Sequence, residues 1–161
     1  MASENLSQVA PRLNGLVLAG GLSTRMGVDK AMLSYSGKPQ AIYAKDLLEQ
    51  FCDKVFVSIR SEHDKRFENA SFIVDTLNLN GPINGILSAM KTAPECAWLV
   101  LACDLPLVSA EVLRKLLATR DPQKMATAYI SKANGLPEPM CAIYEPKFFH
   151  PMMRWIEAGK T

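Results

Sequence analysis

The stretch GLVLAGGLSTRMGVDKAMLSYSGKP, residues 15–39, decides how the rest of the chain is read. Residues 16–19 form a short, uniformly apolar run, the pattern of a strand covered on both faces. The run opens into a loop carrying Gly20, Gly21, Ser23, Arg25, Gly27 and Lys30. Glycines let the backbone approach a ligand closely and take positive φ, so successive N–H groups can converge on an anion. Arg25 adds a planar fork of donors and Lys30 a compact point charge. A buried strand feeding such a loop is suited to gripping a polyphosphate.

Two common phosphate loops are excluded by spacing. A Walker loop requires G-x-x-x-x-G-K-[ST], and at Gly159-Lys160-Thr161 the first glycine position is Arg154. The dinucleotide fingerprint G-x-G-x-x-G opens a helix directly, whereas here Gly20 and Gly21 are adjacent and Arg25 and Lys30 follow in the loop.

Outward from this segment, strand-like and helix-like runs alternate. Pro39 suits a first helical position, with Ile42, Leu47, Leu48 and Phe51 at helical spacing behind it. Residues 54–59 read as a second strand and 62–68 as a short charged helix. Residues 72–74 form a brief third strand that ends at Asp75. The Asn80-Gly81-Pro82 turn precedes a helix over 83–92. Residues 98–102 are the most hydrophobic strand and so belong near the sheet centre. Ser109 is placed to cap a helix over 110–118, with Glu111 in its first turn. Further strands are expected at 125–130 and 140–144, and a last helix at 148–158. This order predicts an α/β fold with right-handed crossovers, a mostly parallel sheet and helices on both faces. Ligands in such sheets bind beyond the carboxyl ends of the strands. That rule gathers the glycine loop, Ser58, Asp75 and Asp104 on one rim.

Length and charge narrow the class. A chain of 161 residues is the size of one domain with one substantial core. Its 48% hydrophobic and 21% charged residues are those of an ordinary globular protein. A net charge of +2, with the basic residues dispersed, gives no footprint for nucleic acid or a membrane surface. No apolar stretch approaches the roughly 18 residues that span a bilayer, and the polar N-terminus lacks a signal-peptide core. Cys52, Cys96, Cys103 and Cys141 form no C-x-x-C pair, so they read as reduced, buried thiols of a cytoplasmic protein. His63 and His150 stand outside the motifs, and no nucleophile elbow is present.

The quoted segment closely resembles the signature of the molybdenum cofactor guanylyltransferase family, L-A-G-G-x-S-x-R-M-G-x-D-K-x-x-L. The match falls on Leu18, Ala19, Gly20, Gly21, Ser23, Arg25, Met26, Gly27, Asp29, Lys30 and Leu33. It continues through Asp75, the turn from Gly81 to Gly85 and the segment Ala102-Cys103-Asp104-Leu105-Pro106. The resemblance covers most of the chain from Leu13 onward. It implies a three-layer, Rossmann-like nucleotidyltransferase fold over residues 15–161, preceded by a tail at 1–14. The implied reaction moves GMP from GTP to molybdopterin and releases pyrophosphate, with Mg2+ as cofactor. The acceptor phosphate is already anionic, so the protein's task is positioning and charge neutralisation.

The resemblance also distributes roles. Arg25, Lys30 and Asp104 are the expected catalytic residues, with Arg25 and Lys30 neutralising triphosphate charge. Asp104 is the expected Mg2+ ligand; an acidic residue ending a buried strand suits that ion, although the same residue could cap a loop. The expected nucleotide contacts are Leu18, Ala19, Gly20, Gly21, Lys30, Ser58, Asp75, Gly81 and Asp104. An Asx turn after a strand would explain Asp75 equally well. Asp29 is expected to order the cationic loop.

The sequence departs from the family pattern in two places. Ser58 stands where an asparagine is frequent, and a hydroxyl cannot present amide donors and an acceptor together. The family's usual C-terminal segment, a helix and a strand, is expected beyond the equivalent of Gly159. The sequence therefore reads as a truncated form, as a domain that takes this element from another chain, or as one that manages without it. An edge left uncovered would suit pairing with another copy or a cofactor-pathway protein. Competing readings are a cytidylyl- or sugar-phosphate nucleotidyltransferase on the same fold, or a non-catalytic nucleotide- or partner-binding domain. Gly20 as the third residue of the Leu-Ala-Gly-Gly string favours the guanylyl branch, since the cytidylyl branch typically carries alanine there.

Overall fold

A computed structural model describes residues 9–19, 38–62, 65–67 and 69–159. Among these residues six strands form one sheet: β1 (Leu13–Leu18), β2 (Val55–Ile59), β3 (Phe72–Val74), β4 (Ala97–Ala102), β5 (Ala126–Ile130) and β6 (Pro137–Tyr144). Their spatial order is β3-β2-β1-β4-β6-β5. The first four pair in parallel, and β6 runs antiparallel to both β4 and β5. Four helices accompany them among the described residues: α1 (Gln40–Leu48), α2 (Ile83–Thr92), α3 (Ala110–Ala118) and α4 (Phe149–Glu157).

Alternation along the strands divides the core into two layers. Val17, Val57, Ile59, Leu99, Leu101 and Ile143 face α1 and α3. Leu16, Leu18, Trp98, Val100, Ala142 and Tyr144 face α2 and α4. Both faces are thus covered, and β1 and β4 are buried along their whole length. Each fully buried Leu or Val side chain contributes about 1.5–3 kcal/mol, so these two central strands anchor the fold. The expected three-layer architecture and the central position of the Trp98 strand are both found.

Several boundaries move, each for a local reason. β1 begins at Leu13 instead of residue 16, because Ala97 N–H donates to the Arg12 carbonyl and Leu13 pairs with Ala97. Pro39 is the N-cap of α1, and the helix stops at Leu48 before Phe51. The expected helix over 62–68 is a single 3-10 turn at Lys65–Phe67. β6 begins at Pro137, ahead of the expected residue 140. Pairing with β4 starts only at Cys141, so Pro137 and Pro139 sit where no β4 partner needs their missing N–H groups. The last helix is preceded by a 3-10 turn at Pro146–Phe148. The helices over 83–92 and 110–118 fall where expected, the latter with Ser109 Oγ accepting from Val112 N–H at 3.5 Å.

At the amino end of the parallel strands Arg120, just after α3, clasps Glu145, just after β6. Its Nε donates to Glu145 Oε1 at 2.7 Å, and an NH2 donor reaches Oε2 at 3.0 Å and the Pro11 carbonyl at 2.9 Å. Glu145 is wholly buried. This clasp holds β1, β6 and α3 together at the end opposite the site described next. Among the described residues no helix is long and apolar enough to cross a membrane.

Candidate active site

The carboxyl ends of the parallel strands border a cleft of about 470 Å3. Leu18 at the end of β1, Ser58 in β2, Asp75 after β3, Gly81 before α2 and Asp104 after β4 all line it. These five residues were singled out by sequence, and the topology brings them to one rim. Ala19 follows β1 and is buried, outside the lining. Gly20, Gly21, Arg25 and Lys30 lie outside the described residues, as does His63. His150 is on α4, edge-on to Phe149 at 5.4 Å between ring centroids, and takes no part in the cleft.

The β2–β3 side of the cleft is a built polar unit. Ser58 is buried, and its Oγ donates to Asp75 Oδ1 at 2.7 Å. Asp75 N–H in turn donates to the Ile59 carbonyl at 2.8 Å, which carries the ladder one residue past β3. Burial raises the Asp75 pKa above its ordinary 3.8; the Ser58 hydrogen bond and the nearby Arg60 charge pull it back down.

Helix α2 closes this unit from above the sheet. Gly81 turns the chain at φ 79°, a conformation favoured for glycine. Gly85, one turn further on, packs directly over the polar pair. A Cβ there would lie inside contact distance of Ser58 Oγ, 3.1 Å from Leu18 Cδ2 and 3.2 Å from Asp75 Oδ1. Its role is thus helix-on-sheet packing against the polar pair. Two side chains of α2 then hold the loop leaving β3. Asn84 Oδ1 accepts from Leu77 N–H at 3.1 Å, and Ser88 Oγ accepts from Thr76 N–H at 2.9 Å. The loop continues through Asn78, held at φ 53°.

Across the cleft the loop after β4 presents Asp104, which is exposed. Among the described residues no hydrogen bond or ion pair engages its carboxylate. Hard carboxylate oxygens at the open rim of a cleft are the donor type that Mg2+ accepts. The residue therefore fits the ion. Cys103 beside it is buried and also lines the cleft, so it fills a strand end and borders the site at once. Burial pushes the Cys52 thiol up to about 12 and Cys141 up to about 11, which keeps both protonated and unreactive. Cys52 is only half-buried, short of the buried state expected.

The cleft contains lining residues that sequence reasoning missed: Arg60, Asn78, Leu79, Asn80 and Met140. Arg60 had a usable signal, since it is two residues beyond Ser58 and therefore on the same face of the strand.

Comparison with known proteins agrees with this geometry. Residues 15–161 match the MobA-like NTP transferase domain. The chain is 40% identical over 136 residues to a molybdenum cofactor biosynthesis bifunctional protein of Synechocystis, matching 83% of this chain and 39% of that protein's length. It is 28% identical over 162 residues to a molybdenum cofactor guanylyltransferase of Burkholderia ambifaria, covering 94% of this chain and 79% of that one. Among solved structures, molybdopterin-guanine dinucleotide biosynthesis protein A from Archaeoglobus fulgidus superposes with a TM-score of 0.67 at 28% identity. That match covers 91% of this chain and 74% of the other.

Proposed function

The chain belongs to the MobA-like NTP transferase family, and on that premise we propose that it transfers GMP from GTP to molybdopterin, releasing pyrophosphate. The observation that carries this reading is the convergence of Leu18, Ser58, Asp75, Gly81 and Asp104 on one cleft at the strand ends. The curated relatives named as molybdenum cofactor guanylyltransferases support the choice of nucleotide and acceptor.

In this reading a phosphate oxygen of molybdopterin attacks the α-phosphorus of GTP. The bond from that phosphorus to the bridging β-oxygen breaks, and pyrophosphate leaves. The nucleophile is already charged, so no general base is needed. The chain supplies orientation and positive potential where charge develops. By their sequence pattern, Gly20 and Gly21 are assigned to the triphosphate, Lys30 to the charge of the bound nucleotide and Arg25 to that of the departing pyrophosphate. Ser58 and Asp75 receive the nucleoside end. Asp104 would hold Mg2+, whose bound charge neutralises the phosphates. The setting we assign is the cytoplasm, where the reduced thiols Cys52, Cys96 and Cys141 belong.

Pyrophosphate release measured with GTP, CTP, ATP and UTP, each with and without molybdopterin, tests the proposal. Release with GTP that depends on molybdopterin is expected. Faster release with CTP would replace guanylyl by cytidylyl transfer, and no release with any triphosphate would remove the enzymatic reading.

A further inference from the structure

Residues 56, 58 and 60 alternate onto the face of β2 that meets α2. Phe56 packs in the apolar layer, Ser58 reaches Asp75, and Arg60 emerges at the rim. Arg60 is exposed and lines the cleft with Asp75, Asn78 and Asn80. Among the described residues no hydrogen bond or salt bridge uses its donors. Its charge is near enough to Asp75 to lower the pKa of that carboxyl. A carboxylate acceptor after β3 and an unused guanidinium fork after β2 therefore border the same cleft, on neighbouring strands.

Their place in the sheet says which part of a nucleotide they meet. Asp104 follows β4, and β1 lies between β4 and β2. Arg60 is thus two strand spacings, about 10 Å, from the strand carrying the phosphate end of the cleft. A nucleotide with its phosphates at β1 and β4 lays its base toward β2 and β3.

Resting on the guanylyl reading above, we infer that Arg60 is a specificity-determining residue that reads the O6 and N7 edge of the guanine base. Both atoms are acceptors, and a guanidinium addresses them together with two parallel N–H donors. Adenine would turn its N6 amino donor against the same fork, and pyrimidines have no N7. Asp75, beside it, is left to accept from the donors of the adjoining guanine edge. Serine at position 58 spends its hydroxyl on Asp75, so the base-reading donors come from Arg60 instead.

The test compares GTP with 7-deaza-GTP, which lacks only the N7 acceptor, by calorimetry on the wild type, Arg60→Ala and Arg60→Lys. Wild type should bind 7-deaza-GTP about fivefold more weakly than GTP. Arg60→Ala should bind GTP about tenfold more weakly and no longer distinguish the two. Arg60→Lys should restore part of the affinity and none of the distinction, because a point charge lacks the fork. Wild-type discrimination persisting in Arg60→Ala, or unchanged GTP affinity, would overturn the assignment. A wild type that prefers CTP would instead overturn the guanylyl reading, so the two failures are separable.

Discussion

Ser58 in β2 and Asp75 beyond β3 are joined by a 2.7 Å hydrogen bond between residues seventeen positions apart. The hydroxyl donates and the carboxylate accepts at Oδ1, in a residue that lines the cleft. Because Ser58 is buried and fixed in the strand, the carboxylate is held in one orientation before any ligand arrives. Preorganisation of this kind removes an ordering cost from binding.

Removing the hydroxyl should change how Asp75 titrates. Burial raises its pKa, so between its unfolded and folded values the native protein holds more protons than the unfolded chain. The stability that Asp75 contributes is therefore present below the unfolded value and is lost as pH rises through the folded one. Ser58→Ala removes one of the two influences that lower the folded value, so the window should extend upward. An NMR titration of the Asp75 side-chain carboxyl carbon should show a higher midpoint in Ser58→Ala, and GTP affinity should fall at a correspondingly higher pH on the acid side. An unmoved midpoint would show that the hydrogen bond does not govern the ionisation.

Gly85→Ala should destabilise the protein, against the usual direction for a helical glycine. Alanine in a helix interior is ordinarily favoured by roughly 0.5–1 kcal/mol. Here the new methyl meets Ser58 Oγ, Leu18 and Asp75 Oδ1. Overpacking of that kind costs about 1–3 kcal/mol, so a net loss of about 1–2 kcal/mol is expected in urea unfolding. GTP affinity should drop with it, since Ser58 and Asp75 must shift. A variant as stable as wild type, with intact affinity, would mean that α2 retreats freely from the sheet.

These relationships explain what the sequence could and could not display. The place of Asp104 at a strand end and the helix over 83–92 were legible because the strand-end rule and helical periodicity are local signals, whereas the glycine loop lies outside the described residues. The Ser58–Asp75–Gly85 contact was not, because it joins three segments that only the sheet order makes neighbours. Asn14 and Gly15 hid the start of β1, since neither has a strand-like side chain although both are buried between β2 and β4. Pro137 similarly disguised β6, whose first residues pair on one side alone. Asn78 carried no periodic pattern, because exposed polar residues in loops are placed by the backbone and not by burial, whereas Arg60 continued the two-residue alternation of β2 beyond Ser58.

Asp104→Asn should retain the fold and lose most of the transfer activity. The amide preserves shape but removes the charge that would hold Mg2+ against the phosphates. The side chain is exposed, so thermal unfolding should be unchanged. Activity should fall tenfold or more, which corresponds to ~1.4 kcal/mol or more of lost transition-state stabilisation. Raising Mg2+ should restore only part of it, while GTP affinity measured without metal stays near wild type. Wild-type turnover at limiting Mg2+ would remove Asp104 from the metal site.

Arg120→Met should be among the most destabilising single changes in the chain, despite lying at the opposite end of the sheet from the cleft. Arg120 gives Glu145 two hydrogen bonds and the Pro11 carbonyl a third, and Glu145 is fully buried. Taking away the guanidinium leaves an uncompensated carboxylate inside the protein, at a cost of about 3–5 kcal/mol. Replacing both partners, as Arg120→Met with Glu145→Leu, removes the stranded charge as well as the pair. The double variant should recover most of that loss and leave only what the orphaned Pro11 carbonyl costs, about 1–3 kcal/mol. Chemical denaturation of the single and double variants supplies the comparison, with transfer rates measured below the unfolding range as a control. If the double variant were no more stable than Arg120→Met, the arginine would act through packing of its stem against α3 and β6, and the charge pair would contribute little.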